Sequence, residues 1–173
     1  MLLCLMLACC QKADWAEPKD TASAEAQQLA ATIVGTGKGT QECPYTVADF
    51  RALSPSGSEA IWVIGYLVGT ARQAMGNAVF SADATNQSNI LLSFDSLCCD
   101  TARCIPVELS SAKNRSSFSL PTNAKHFHKC LLVKGIPSTY MNRKGLRNVS
   151  AGLWMDGFDI SSVAPQQWGE IIL

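Results

Sequence analysis

Lys129 to Val149 reads KCLLVKG-IPSTYMNRKG-LRNV. Cys130–Tyr140 is apolar, branched and aromatic enough for a strand, and Gly135 inside it marks a bend. Arg143-Lys144-Gly145 supplies a tight basic turn into a returning strand over Leu146–Trp154. The segment is the closing hairpin of a small sheet, and the rest of the chain is placed around it.

Upstream, Ser110 to Leu120 is a polar, helix-compatible connection, preceded by strands over Ile105–Leu109 and Ser88–Phe94. Another strand, long and branched, is Ile61-Trp62-Val63-Ile64-Gly65-Tyr66-Leu67-Val68-Gly69. Its Gly65 is best explained by a bend or bulge, which a small barrel needs where one strand serves both halves. Before it, Val47, Phe50 and Leu53 share a helical face. Thr46 is placed to cap that helix, Asp49 to support its positive end, and Ser54-Pro55-Ser56-Gly57 to stop it. No internal repeat is present. The result is an all-β chain with short helices: a five-stranded, OB-like Greek-key barrel over residues 35–155, with a tail over 156–173 that ends in apolar residues.

Composition agrees with one folded domain plus tails: 173 residues, 47% hydrophobic and 16% charged. No apolar run approaches the roughly 18 residues a spanning helix needs. The formal net charge is zero, yet the charge is unevenly placed. Arg103 to Arg147 carries nine Lys or Arg against one acid, Glu108, a balance of +8; the other 128 residues hold five bases and thirteen acids. Such a split predicts a basic face on an otherwise acidic molecule.

The first residues, MLLCLMLACC, approximate the end of a lipoprotein signal, with a small residue, Ala8, before Cys9 as the lipid-bearing cysteine and Cys10 as a second candidate. Residues 10–34, rich in Ala, Gln, Asp and Glu, then read as a flexible tether. Export is expected, with the protein held by lipid on a membrane of the cell envelope.

The strings GTGKGTQECPYTVADF, IWVIGYLVG, SNILLSFD, CIPVELSSAKNRSSFSL, KCLLVKG and GLRNVSAG resemble a domain-of-unknown-function family of exported Bacteroidota lipoproteins, over about residues 35–152. The resemblance implies an OB-like barrel on a lipoprotein and no established activity. One departure stands out. Family members often carry Tyr-Phe-Gly-x-x-Gly in the last hairpin, where this chain has Tyr140-Met141-Asn142-Arg143-Lys144-Gly145.

Candidate chemistry is sparse. His126, His128 and Cys130 alternate, so an extended segment would put them on one side, as a strand-borne metal site requires. No Cys-x-x-Cys pair supports them, and exported thiols tend to oxidise, so disulfides or buried thiols are expected and no metal or cofactor. A bridge from Cys104 to Cys130, or from Cys98 or Cys99, would staple the barrel. Gly35-x-Gly37-x-Gly39 follows no strand and opens no helix, so it is no phosphate loop. Asp83 and Asp95 are isolated, and a cysteine nucleophile lacks an orienting partner. An enzyme is not expected.

Binding is the better reading. OB barrels hold extended polymers on the face of their middle strands and between two flanking loops. The candidate ligand-binding residues are Tyr66, Arg103, Arg115, Tyr140, Arg143, Lys144 and Arg147, with Trp62 divided between core and surface. The expected partner of a monomeric module is an anionic polymer, single-stranded nucleic acid or acidic glycan; the alternative is a structural or docking module without affinity for polyanions.

Overall fold

The computed structural model describes residues 37–163. Cys9, Cys10 and the tether therefore lie outside the described residues, as does the end of the tail. In chain order the elements are β1 (Tyr45–Thr46), α1 (Val47–Leu53), β2 (Ile61–Ala71), β3 (Ala78–Val79), β4 (Asn89–Ser93), β5 (Cys104–Glu108), α2 (Ala112–Phe118), β6 (Cys130–Tyr140) and β7 (Arg143–Met155). Short 3-10 turns punctuate the loops. Among the described residues no helix is long and apolar enough to cross a membrane.

Five strands close the barrel in the order β2-β4-β5-β7-β6, with β6 returning to β2. The closing contact between β5 and β7 is parallel, Val107 opposite Leu146, and the other barrel neighbours are antiparallel. This is the OB-like arrangement expected, with α2 in the crossover between β5 and β6.

One long strand serves both halves. Ile61 to Tyr66 pairs with β6, and from Tyr66 onward β2 pairs with β4. The register slips between Leu67 and Gly69, so the irregularity falls beyond Gly65. Gly65 instead makes room: a Cβ there would stand 2.5 Å from Val47 Cγ2 and 3.1 Å from Leu92 Cβ. Its bare backbone lets α1 close one end of the barrel, where Val47 and Phe50 are fully buried. The helix is held in place by its capping box: Asp49 N–H donates to Thr46 Oγ1 (3.1 Å) and Thr46 N–H to Asp49 Oδ2 (3.2 Å).

Gly135 does mark a bend, since the β6–β7 register shifts between Lys134 and Ile136. The hairpin turn, however, is not Arg143-Lys144-Gly145. Tyr140 pairs with Arg143, and the two loop residues are Met141 (φ 54°) and Asn142 (φ 58°), as a type I′ turn requires. Arg143, Lys144 and Gly145 already belong to β7.

Strand alternation sorts side chains into three clusters. Val63, Leu67, Ile90, Leu92, Ile105, Val107, Leu131, Val133 and Leu146 fill the interior, joined by Phe118 and Leu120. Outside the barrel, Val68, Leu91 and Cys104 pack with Ala71, Met75 and Cys98. On a neighbouring outer face, Ile64, Cys130, Leu132 and Met155 pack under Ile160, so the start of the tail folds back onto the barrel. Among the described residues no buried side-chain polar atom lacks a hydrogen-bond partner.

Candidate ligand-binding rim

In an OB barrel the face that meets polymers is the outer side of its second and third strands, here β4 and β5, flanked by the loop after the first strand and the last hairpin. In this chain that face is covered from within. Met75, Cys98 and, at its edge, Phe80 and Met141 pack over Val68 and Leu91. The cover thus draws on the β2–β4 connection, the β4–β5 loop and the hairpin tip. Packing of Met141 here offsets the left-handed backbone that an unbranched apolar residue otherwise avoids.

Tyr66 sits on the seam between the two outer clusters. Its hydroxyl donates to Asp159 Oδ1 (3.1 Å) and accepts from Ile160 N–H (3.0 Å). Burial raises its pKa above the ordinary phenol value. The ring therefore holds the tail against the barrel. Trp62 lies partly buried against the same outer cluster, not in the interior, with Lys134 Nζ 5.9 Å from its ring centroid.

The basic residues divide into two groups. Arg147 forms a fork with Glu108, Nε to Oε2 at 2.9 Å and Nη2 to Oε1 at 3.0 Å, and lies 5.7 Å over the Tyr140 ring. Arg103 pairs with Asp95 at 3.2 Å. Both charges are offset at short range. Arg115 and Arg143, by contrast, donate to neutral carbonyls: Arg115 Nη1 to Leu109 O (3.1 Å) and Ser110 O (2.6 Å), Arg143 Nη1 to Thr101 O (3.3 Å). These contacts fix the guanidinium groups without cancelling them. Lys144 is exposed.

Arg72 was not among the sequence candidates, because it lies outside the basic window. It opens the β2–β4 connection and, with Arg115, lines an open cleft of about 510 Å³. The other walls are Thr85, Asn86, Gln87 and Ser88, so the lining is polar and carries no carboxylate. A short relay joins the cleft to the end of β2 and the start of β4. Asn86 Nδ2 donates to Ala71 O at 2.9 Å, and buried Asn89 brackets Ala71 by accepting from its N–H and donating to its carbonyl (2.9 and 2.7 Å). Arg72, which follows Ala71 in the chain, is thereby fixed against the start of β4. The pKa of Tyr140, on the facing hairpin, is raised chiefly by burial.

Residues 45–155 match a family described as a domain of unknown function, DUF6359. The chain belongs to that family. The match runs from β1 to the end of β7, so the DUF6359 unit comprises the whole barrel with its capping helix. No curated protein matches the chain.

The histidines of this DUF6359 barrel do not converge. Ala124–His126 is a 3-10 turn, His128 has φ 63°, and the strand begins only at Cys130, so the extended segment assumed for the three residues does not exist. His126 stacks on Trp154, centroids 4.2 Å apart and 5° from parallel, with Asp156 at 3.4 Å. Burial lowers its pKa and outweighs the attraction of Asp156. His128 Nδ1–H donates to Ser96 O. Among the described residues no group of three His, Cys, Asp or Glu is placed to hold a metal ion.

A Cys104–Cys130 bridge is ruled out by the register. Cys104 lies opposite Ser93, Ser93 opposite Tyr66, and Tyr66 opposite Cys130. The two cysteines also pack in separate outer clusters, Cys104 with Cys98 and Cys130 with Ile64 and Met155, so their sulfurs do not meet as a bridge requires. No disulfide joins Cys98, Cys99, Cys104 or Cys130 in the structure. Burial pushes the Cys130 thiol well above the ordinary range and that of Cys104 up to about 12.

Proposed function

We propose that the chain is a non-enzymatic binding module of an exported bacterial lipoprotein, held to the cell envelope through Cys9, whose barrel rim binds an anionic polymer by its charge. The observation that carries this reading is the carboxylate-free cleft of Arg72 and Arg115, whose edge is fixed by the bonds of Asn86 and Asn89 to Ala71; Arg143 and Lys144 add two exposed cations on β7. Guanidinium groups with spare donors suit phosphate, sulfate or carboxylate oxygens, and prior contacts to carbonyls lower the entropy lost on binding. The aromatic rings that would stack bases are engaged: Tyr66 holds the tail, and Arg147 lies over Tyr140. Recognition therefore rests on the polymer's charges, whether on single-stranded nucleic acid or on an acidic glycan.

The non-enzymatic reading is supported by the depressed acidity of Cys104 and Cys130, since the thiolate is the nucleophile. The anchor is supported by the apolar stretch ending in Ala8-Cys9. Fatty-acid labelling that survives Cys9→Ser would move the anchor to Cys10, and a wild type that takes up no label would refute it.

Binding is tested by titrating labelled single-stranded DNA and a sulfated glycan into the protein. Arg72→Ala, and separately Arg143→Ala with Lys144→Ala, should each weaken binding about tenfold, a loss of about 1.4 kcal/mol. Affinity unchanged in both variants, or absent in the wild type, would leave the docking-module alternative.

A further inference from the structure

We infer that Cys98 and Cys104 are a disulfide-forming pair that staples the β4–β5 loop onto the outer face of the barrel. Their sulfurs stand 4.0 Å apart, and a bond needs about 2.0 Å, within reach of a small side-chain rotation. Both residues are buried, at 4% and 3% exposure. Both thiols aim at one acceptor, the Asp100 carbonyl, at 3.4 and 3.3 Å. That carbonyl also accepts Arg103 N–H at 3.0 Å. Oxidation would remove two donors and leave it satisfied, so no buried polar group is stranded.

The surroundings suit a disulfide better than a reactive thiol. The pair packs among Val68, Ala71, Met75 and Leu91. Burial, then Cys98, then Asp100 raise the Cys104 pKa, so the folded dithiol is a poor nucleophile and poorly exposed to oxidants. Bond formation belongs to folding, while the loop is still open. The oxidant is a disulfide, either a thiol oxidoreductase or oxidised glutathione. One cysteine thiolate attacks it and expels a thiolate, giving a mixed disulfide. The second attacks that intermediate and expels the other thiolate. Two protons leave the cysteines, and two electrons reduce the oxidant to two thiols. The pairing follows from geometry alone; that it forms in the cell rests on the export reading above.

Folding the full chain in a mixture of oxidised and reduced glutathione, then acid quench, alkylation and trypsin digestion, tests the pairing. Arg103 lies between the two cysteines. A bridge therefore appears as the tryptic peptide Gln73–Arg103 joined to Cys104–Lys113. This linked species should be the main form of Cys104, vanish on reduction and persist in Cys99→Ser. Reduction should also lower the melting temperature of the wild type and leave that of the Cys98→Ser, Cys104→Ser protein unchanged. If the double variant does not fold, mapping of the wild type decides. Recovery of Cys104 alkylated, or joined to Cys99 or any other cysteine, would overturn the inference. In vitro oxidation with a reduced pair in cells would refute export and leave the pairing intact.

Discussion

Gly145→Ala probes the one parallel contact that closes the barrel. A Cβ at Gly145 would overlap the Pro106 carbonyl oxygen and stand 2.9 Å from Pro106 Cγ. The obstacle is backbone on β5, so no side-chain rotation relieves it. The strands must part by about 1 Å, beside the Val107–Leu146 pair, both fully buried. Overpacking of this kind costs about 1–3 kcal/mol, and the smaller entropy of unfolded alanine returns about 0.4–1 kcal/mol. Because the clash is with backbone, the upper end applies, about 2–2.6 kcal/mol net. At roughly 4 °C per kcal/mol the melting temperature falls by about 10 °C. Thermal denaturation followed by circular dichroism measures this. Gly76→Ala is the control, since nothing lies within 4 Å of a Cβ there, and it should stay within about 0.5 kcal/mol of wild type. A Gly145→Ala protein as stable as wild type, or one no worse than Gly76→Ala, would refute closure between β5 and β7.

Two further predictions concern the tail and the stacked histidine. Tyr66→Phe removes the acceptor of Ile160 N–H and the donor to Asp159; it should cost about 1 kcal/mol and speed hydrogen exchange at Ile160 while sparing the β6–β7 amides. For His126, the folded pKa lies below its ordinary value, mainly through burial, with Lys125 and Lys129 lowering it further and Asp156 opposing. The unfolded chain therefore takes up this proton first as pH falls. Stability should decline from about pH 6.5 downward until the folded pKa is passed, and His126→Gln should decline less over that window in pH-dependent denaturation.

The barrel was legible where local pattern and tertiary demand agree. The β-branched, apolar run Cys130–Tyr140 became β6 with the same bounds, and Thr46-x-x-Asp49 became a capping box. The turn was misplaced because Arg143-Lys144-Gly145 has turn chemistry, whereas Met141 enters a left-handed conformation only because the outer cluster holds it. Gly145 is glycine for the approach of Pro106, a neighbour 39 residues away in sequence. The same limit applies to the rim. Arg115, Arg143 and Lys144 were readable as cations, but the pairing of Arg147 with Glu108 and Arg103 with Asp95 is long-range or loop-made and left no local sign. Arg72 could have been found from topology, since an OB barrel puts the loop after its first strand beside the ligand.

The salt dependence of polymer binding tests the central claim most directly. Four cations, Arg72, Arg115, Arg143 and Lys144, each meeting one charge on a single strand would give a slope of log Kobs against log salt of about −3. The Arg143→Ala, Lys144→Ala protein should bind more weakly, with the slope reduced to about −1.5. A wild-type slope near zero, or a slope the paired substitution leaves unchanged, would contradict charge recognition at this rim.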